Sequence, residues 1–348
     1  MDGFVLFFVV AIILLALLFD YTNGFNDSAA IVAAMISSGA MSTQHALLIA
    51  AGFEFLGAYF LGTAVAMTVG KAIVAPATIG LATIAAALVG AIAWNYVAWY
   101  FGMPSSSSHA LIGGLLGAVL VTAGTAPVDW RMVSAIYVLL LLSPVIGFTI
   151  TYLLTKSHLL LFRRVRPSRA NVVFSRLQIL FSVGLALSHG TNDAQKSMGI
   201  ITMSLVLAYP LAPTALGALY TPDPSEAFVI PRWVIAACSL ALALGIAQGG
   251  FRIMKTVGTG FYRIRPVHGF TSLSSAAGII YTASLFGFPV STTQISSASI
   301  LGAGSAQRFN AVRWGTVKHM LVAWFVTIPA SGLIGALSQP AISLLTGL

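Results

Sequence analysis

Apolar stretches follow one another down this chain with almost nothing charged inside them, and this constrains its fold more than any other feature. They run approximately 3–22, 28–38, 44–70, 77–101, 108–125, 131–156, 176–208, 232–254, 268–287, 294–304 and 312–338. Most reach the roughly 20 residues that a helix needs to span a bilayer core. Only 7% of the residues are charged and 58% are hydrophobic, against about 25% charged in a soluble domain. No aqueous core hides so much apolar surface, so the solvent around this chain is lipid. In lipid the backbone must satisfy its own hydrogen bonds, which predicts an all-α polytopic membrane protein. The stretch from Phe4 to Phe19 lacks a basic start and runs into polar sequence. It reads as part of a first helix and not as a signal peptide.

The net charge of +9 sits in short loops, where it sets orientation and contacts anionic membrane lipid. That placement argues against nucleic acid as a partner. Lys156, Arg163, Arg164, Arg166, Arg169 and Arg176 form one segment without an acid, and Arg252, Lys255, Arg263 and Arg265 form another. Positive-inside bias predicts both on the cytoplasmic side. The segment from Tyr209 to Pro231, with Asp223, Glu226 and several prolines, is predicted outside. Trp130, Trp233 and Trp314 adjoin loops and read as interfacial anchors, and Arg252 and Lys255 as residues that orient their helix. Cys238 is the only cysteine, which excludes an intramolecular disulfide and a cysteine-based metal centre.

Two polar motifs each occur twice, in the same order. Gly24-Phe25-Asn26-Asp27-Ser28-Ala29 is echoed by Gly190-Thr191-Asn192-Asp193-Ala194-Gln195. Phe101-Gly102-Met103-Pro104-Ser105-Ser106-Ser107-Ser108-His109 is echoed by Phe286-Gly287-Phe288-Pro289-Val290-Ser291-Thr292-Thr293-Gln294. The basic segment divides the copies, which predicts a first transmembrane repeat over 1–156, a basic cytoplasmic linker over 157–175 and a second transmembrane repeat over 176–348. Paired polar breaks in two halves of an apolar chain point to a transporter's binding site.

Asp27 and Asp193 lie inside apolar segments, where an ionised carboxylate costs about 3 kcal/mol. A carboxylate beside an Asn carbonyl and an unwound, Gly-containing backbone suits a hard cation or a proton. The competing role is an Asp that caps the following helix. In the second motif pair, Pro at a helix start with Ser and Thr hydroxyls and free N–H groups suits a tetrahedral oxyanion. The competing role there is small-residue helix packing. The short, Gly-rich stretches 108–125 and 294–304 read as hairpin or re-entrant pieces.

Gly-x-Asn-Asp twice, with Pro-Ser-Ser-Ser-Ser-His-Ala-Leu-Ile-Gly-Gly from Pro104 and Pro-Val-Ser-Thr-Thr from Pro289, resembles the PiT family of inorganic phosphate transporters. The resemblance covers nearly the whole chain. It implies two inverted repeats with broken helices, and two re-entrant helical hairpins that meet the Asn-Asp segments at a central site. It implies a secondary active symporter of the cell membrane that imports inorganic phosphate by alternating access, with H+ or Na+ as coupling ion and no other cofactor. By position, Ser106, Ser107, Ser108, Ser291, Thr292 and Thr293 would serve phosphate. Asn26, Asp27, Asn192 and Asp193 would serve the coupling ion, with Asp27 and Asp193 as metal ligands if that ion is sodium. Lys196 departs from the pattern, since the first copy has Ala30 in its place. An ammonium there either neutralises Asp193 in place of sodium, favouring proton over sodium coupling or uptake of a neutral metal–phosphate complex, or binds phosphate itself. Its bland role is a lysine that snorkels to an interface. Gln294 stands where the first hairpin has His109, so any histidine role is single.

Glu54, between Phe53 and Phe55, is the only other acid that the sequence places inside the membrane. Proton relay, cation ligation and a structural hydrogen bond all fit it. Asn95 reads as a helix–helix hydrogen-bonding residue, and His189 as a packing histidine that titrates near neutral pH if exposed to protons. A carrier of another oxyanion such as sulfate is the alternative; a passive channel needs no Asn-Asp pair. No zinc-protease histidine spacing, nucleophile–base motif or Gly-rich loop of an ATP motor is present, so an enzyme is not expected. The oligomeric state is open, and a homodimer is compatible with it.

Overall fold

A computed structural model describes residues 2–71, 79–223 and 228–347, so Glu226 lies outside the described residues. These residues form helices joined by short turns, with no strand among them. The first half holds α1 (Asp2–Ser37), α2 (Thr43–Phe60), α3 (Ala64–Lys71), α4 (Leu81–Tyr100), α5 (Ser107–Ala123) and α6 (Trp130–Leu161). The second holds α7 (Pro167–Ala208), the one-turn α8 (Pro213–Leu216), α9 (Arg232–Gln248), α10 (Phe251–Thr259), α11 (Pro266–Leu285), α12 (Thr292–Arg308) and α13 (Trp314–Thr346). With α8 set aside, the halves repeat one order: a long helix with Asn-Asp, a bent pair, a hairpin and a long helix. α1, α4, α6, α7 and α13 are long and apolar enough to cross a bilayer. Leu141, Leu142, Val145 and Leu153 of α6, and Val322, Phe325 and Leu333 of α13, are exposed, which is the surface that lipid covers.

Two expectations are corrected. The backbone is not unwound at the Asn-Asp motifs: α1 and α7 run unbroken through Asn26-Asp27 and Asn192-Asp193. Neither Asp therefore caps a helix. Their side chains find partners on other helices, so the backbone keeps its own ladder of hydrogen bonds. The breaks fall instead in the stretches 44–70 and 232–254, which the sequence presents as continuous. There α2–α3 and α9–α10 bend by 71° and 67°. The basic segment is likewise mostly helical, because α6 continues to Leu161 and α7 starts at Pro167. Pro167 suits that start, since a first helical residue needs no N–H.

Two apolar clusters give the molecule its ends. One gathers Val5, Phe8 and Val9 of α1 with Leu81, Val119, Val128, Tyr220 and Phe228. Thr214 Oγ1 donates to Asp2 Oδ2 at the same end. The other gathers Met35, Phe261, Tyr262, Leu273, Val312 and Val317, beside the basic turns, where Arg313 N donates to the Phe261 carbonyl. The base of the α4–α5 hairpin is in the first cluster and that of α11–α12 in the second. The two tips meet between them, where Ser108 Oγ donates to the Val290 carbonyl at 2.9 Å.

The motif glycines allow the close helix approach on which this depends. A Cβ on Gly24 would stand 2.2 Å from the Leu242 carbonyl oxygen of α9, and one on Gly190 2.2 Å from the Glu54 carbonyl oxygen of α2. Gly24→Ala and Gly190→Ala must push these helices apart, at about 1–3 kcal/mol each. Both should lower the melting temperature in detergent, whereas Gly52→Ala, with nothing within 4 Å, should not. Equal melting of all three would refute the close-approach role.

Candidate functional site

α1 and α7 face each other at their Asn-Asp motifs, and the start of α12 closes over them. At the centre stands His189, one helical turn before Asp193. Its Nδ1 is hydrogen-bonded to Glu54 Oε1. Its Nε2 lies 3.2 Å from Asp193 Oδ2 and 3.5 Å from Asp27 Oδ2. Both ring nitrogens thus face carboxylate oxygens. Nδ1 is engaged with Glu54 and Nε2 has no hydrogen-bond partner; since a neutral imidazole donates from one nitrogen only, the group has room for a further proton. Lys196 Nζ is 2.5 Å from Asp193 Oδ1. Asn23 Nδ2 donates to Asp193 Oδ2 at 3.2 Å. All six side chains are buried, so Lys196 does not snorkel.

The hairpin tips supply the lid. Thr292 Oγ1 donates to Asp193 Oδ2 at 3.0 Å and lies 3.5 Å from Asp27 Oδ2, and Thr293 Oγ1 donates to Asp27 Oδ1. Ser106 and Ser291 are the N-caps of α5 and α12 and accept from the His109 and Gln294 N–H groups. Behind the tips, the Gln294 amide nitrogen and His109 Nδ1 are 3.4 Å apart, so the residues at the unmatched position pair with each other. Ser105, Ser107 and Ser108 are buried nearby. Ser108, Lys196 and Pro289 border a void of about 10 Å³ whose other walls are Val69, Leu111, Ile112, Leu115 and Ile200, about the room of one water and too small for a tetrahedral anion.

The structure separates the expected coupling residues. Asp27, Asp193 and Glu54 come together around His189. Asn26 and Asn192 do not; they pin the hairpins. Asn26 Nδ2 donates to the Asn95 carbonyl at 3.1 Å. Asn192 Nδ2 donates to Ser284 Oγ and the Phe288 carbonyl, and Asn192 Oδ1 accepts from Val290 N. Asn95 also donates to Thr22 Oγ1, the helix–helix role expected of it. Of the hydroxyls expected to serve an anion, Thr292 and Thr293 are engaged with the carboxylates.

Sequence reasoning undervalued His189 and missed Asn23 and Asp20. His189 stands at i−4 from Asp193, and Asn23 at i−4 from Asp27, so both face where the aspartates face. Asp20, two turns before Asp27, is a further intramembrane acid that is fully buried. One ligand atom each from Asp27, His189 and Asp193 lies within 4.8 Å of the others, a grouping that could hold a metal ion. Any such ion shares Asp193 with the Lys196 ammonium.

Comparison with known proteins shows the family and the fold. The family described as "Phosphate transporter family" matches residues 23–167 and again 161–335. The "Probable low-affinity inorganic phosphate transporter" of Bacillus subtilis is 41% identical over 334 residues, 96% of this chain and 96% of that protein. The protein of the same name from Rhizobium meliloti is 39% identical over 329 residues, 94% and 95% of the two chains. A solved structure described as "The sodium-dependent phosphate transporter" superposes with a TM-score of 0.86 at 24% identity, over 97% of this chain and 99% of that one. At that identity it speaks for the fold alone.

Breaking a buried ion pair from one side costs about 3–5 kcal/mol, because the other charge stays buried. Lys196→Ala should therefore lower the melting temperature sharply, and Lys196→Ala with Asp193→Asn should recover most of the loss. No recovery in the double variant would mean that Lys196 acts by packing and not by charge.

Proposed function

The chain belongs to the phosphate transporter family and is a multi-pass membrane protein, and from that premise we propose that it imports inorganic phosphate by symport with protons. The observation that carries the choice of ion is the buried Lys196 ammonium 2.5 Å from Asp193. It holds a carboxylate that a sodium ion would otherwise need. The room for a further proton around His189 supports the same choice, since Glu54, Asp27 and Asp193 all converge on one imidazole.

In this reading Asp27, Asp193, Glu54 and His189 form the proton-handling set, with Asn26 and Asn192 as its positioning residues. Ser106, Ser107, Ser108, Ser291, Thr292 and Thr293 receive phosphate at the facing starts of α5 and α12, where N–H groups and hydroxyls bind an oxyanion without a fixed cation. Lys196 lies beside Ser108 and contributes the one permanent positive charge. The halves, divided between α6 and α7, act as inverted repeats whose hairpins enter from opposite ends. Rocking them about the tips exposes the site to one side at a time.

The test is phosphate uptake into proteoliposomes of the purified full chain, with proton and sodium gradients imposed separately. Uptake driven by the proton gradient alone is expected. Asp27→Asn and Asp193→Asn should abolish it in folded protein, and Lys196→Ala should alter its ion dependence. Uptake driven only by sodium refutes proton coupling, and unchanged ion dependence in Lys196→Ala refutes the role of Lys196 in choosing the ion. Transport of sulfate with none of phosphate refutes the substrate.

A further inference from the structure

The mechanism above leaves one buried acid without a role. Asp20 lies in α1, seven residues before Asp27 and so about 10 Å along the helix from it. It is 0% exposed. Ser197 Oγ of α7 donates to Asp20 Oδ1 at 2.6 Å, and the Cys238 thiol, a weak donor, is in hydrogen-bonding contact with the same carboxylate, so Oδ2 has no strong donor. The titratable groups that act on it are Asp193 and Lys196 from α7 and the Cys238 thiol from α9. One turn nearer the centre, Asn23 Oδ1 is also buried without a donor, while its amide nitrogen reaches Asp193. A proton on Asp20 would give its Oδ2 a hydrogen to donate, where a carboxylate only accepts. A metal ion is a poorer occupant: hard cations take six or more oxygens, and the Ser197 hydroxyl already donates its hydrogen to Asp20.

Position gives this acid a direction. α1 runs from the end that holds Asp2, Thr214 and Tyr220 toward the basic end, so Asp20 lies between the Asp2 end and the central set. By positive-inside bias the Asp2 end is external. The second half has Ala186 at the equivalent position, counted from Gly190 as Asp20 is from Gly24. The feature therefore exists on one side of the molecule only.

We propose that Asp20 is a separate proton-loading site, which protons entering from the external side occupy before they reach the set around His189. This rests on the proton-coupled reading of the centre. Asp20 holds the proton at its Oδ2 and makes no contact with phosphate.

The test uses the full chain in proteoliposomes and two assays: phosphate accumulation under an inward proton gradient, and phosphate–phosphate exchange with no gradient. Asp20→Asn should reduce accumulation to a small fraction of the wild-type level, while exchange persists. Asp20→Glu should restore accumulation. Wild-type accumulation in Asp20→Asn overturns the proposal. If Asp20→Asn loses both assays, pH-difference infrared spectra decide: a protonated-carboxyl band of the wild type that Asp20→Asn lacks supports the site, and an unchanged band overturns it. If the wild type shows no proton drive at all, the reading of the centre fails, and the same infrared band still decides whether Asp20 takes up a proton.

Discussion

Charge balance at membrane depth governs this structure. Four carboxylates, from Asp20, Asp27, Glu54 and Asp193, are buried, and two basic side chains, His189 and Lys196, lie among them. Fully ionised, the group would carry two negative charges in excess, where an uncompensated charge costs several kcal/mol. Each carboxylate therefore takes whatever donors the neighbouring helices offer. Glycine at 24 lets α1 lie against α9, and glycine at 190 lets α7 lie against α2, which brings Glu54 within reach of His189. The hairpins must extend far enough for Thr292 and Thr293 to reach Asp193 and Asp27. The remainder of the balance must come from a proton or a bound cation, and in the proton-coupled reading the architecture and the ion coupling express one constraint.

The two halves share a scaffold and differ in their charges. Gly24 packs on the Leu242 carbonyl as Gly190 packs on that of Glu54, and Ser106 caps α5 as Ser291 caps α12. At equivalent places the first half has Asn23, Ala30 and Asp20, and the second has His189, Lys196 and Ala186. Leu242 stands where Glu54 stands. In the proposed mechanism, the shared scaffold lets two hairpins alternate about one site. Unequal charges make the ends of that site inequivalent, which net transport in one direction benefits from when the driving ion arrives from one side.

Much of this was legible in the sequence, because lipid leaves little freedom: apolar length fixed the long helices, and duplicated polar motifs marked the centre. The pairing of Lys196 with Asp193 also followed from i,i+3 spacing on a helix. The bend in α2–α3 was not legible, since Gly62, which takes positive φ there, sits in apolar sequence; the bend in α9–α10 has a signal that was passed over, Gly249-Gly250 between Gln248 and Arg252. The unwinding expected at the motifs did not occur for a reason that lies in three dimensions. Asn26 and Asn192 find carbonyls on the hairpins, so their own helices need not open. His189 was read as packing because its partner Glu54 is far away in sequence, and no local pattern joins them.

The engagement of Thr292 and Thr293 links the two halves of the proposed transport reaction. A threonine hydroxyl has a single hydrogen to donate, and in this structure both are given to carboxylates. The same hydroxyls cannot hold phosphate until they are released. A protonated Asp27 or Asp193 is a weaker acceptor than the carboxylate, because hydrogen bonds to ionised groups are roughly twice as strong as neutral ones. Protonation thus frees the hydroxyls for the anion, and an arriving phosphate that takes them favours protonation in turn. That exchange of partners at the tip of α12 would couple the ion to the substrate without direct contact between them, and it would keep the hairpins closed over the cavity until both are present.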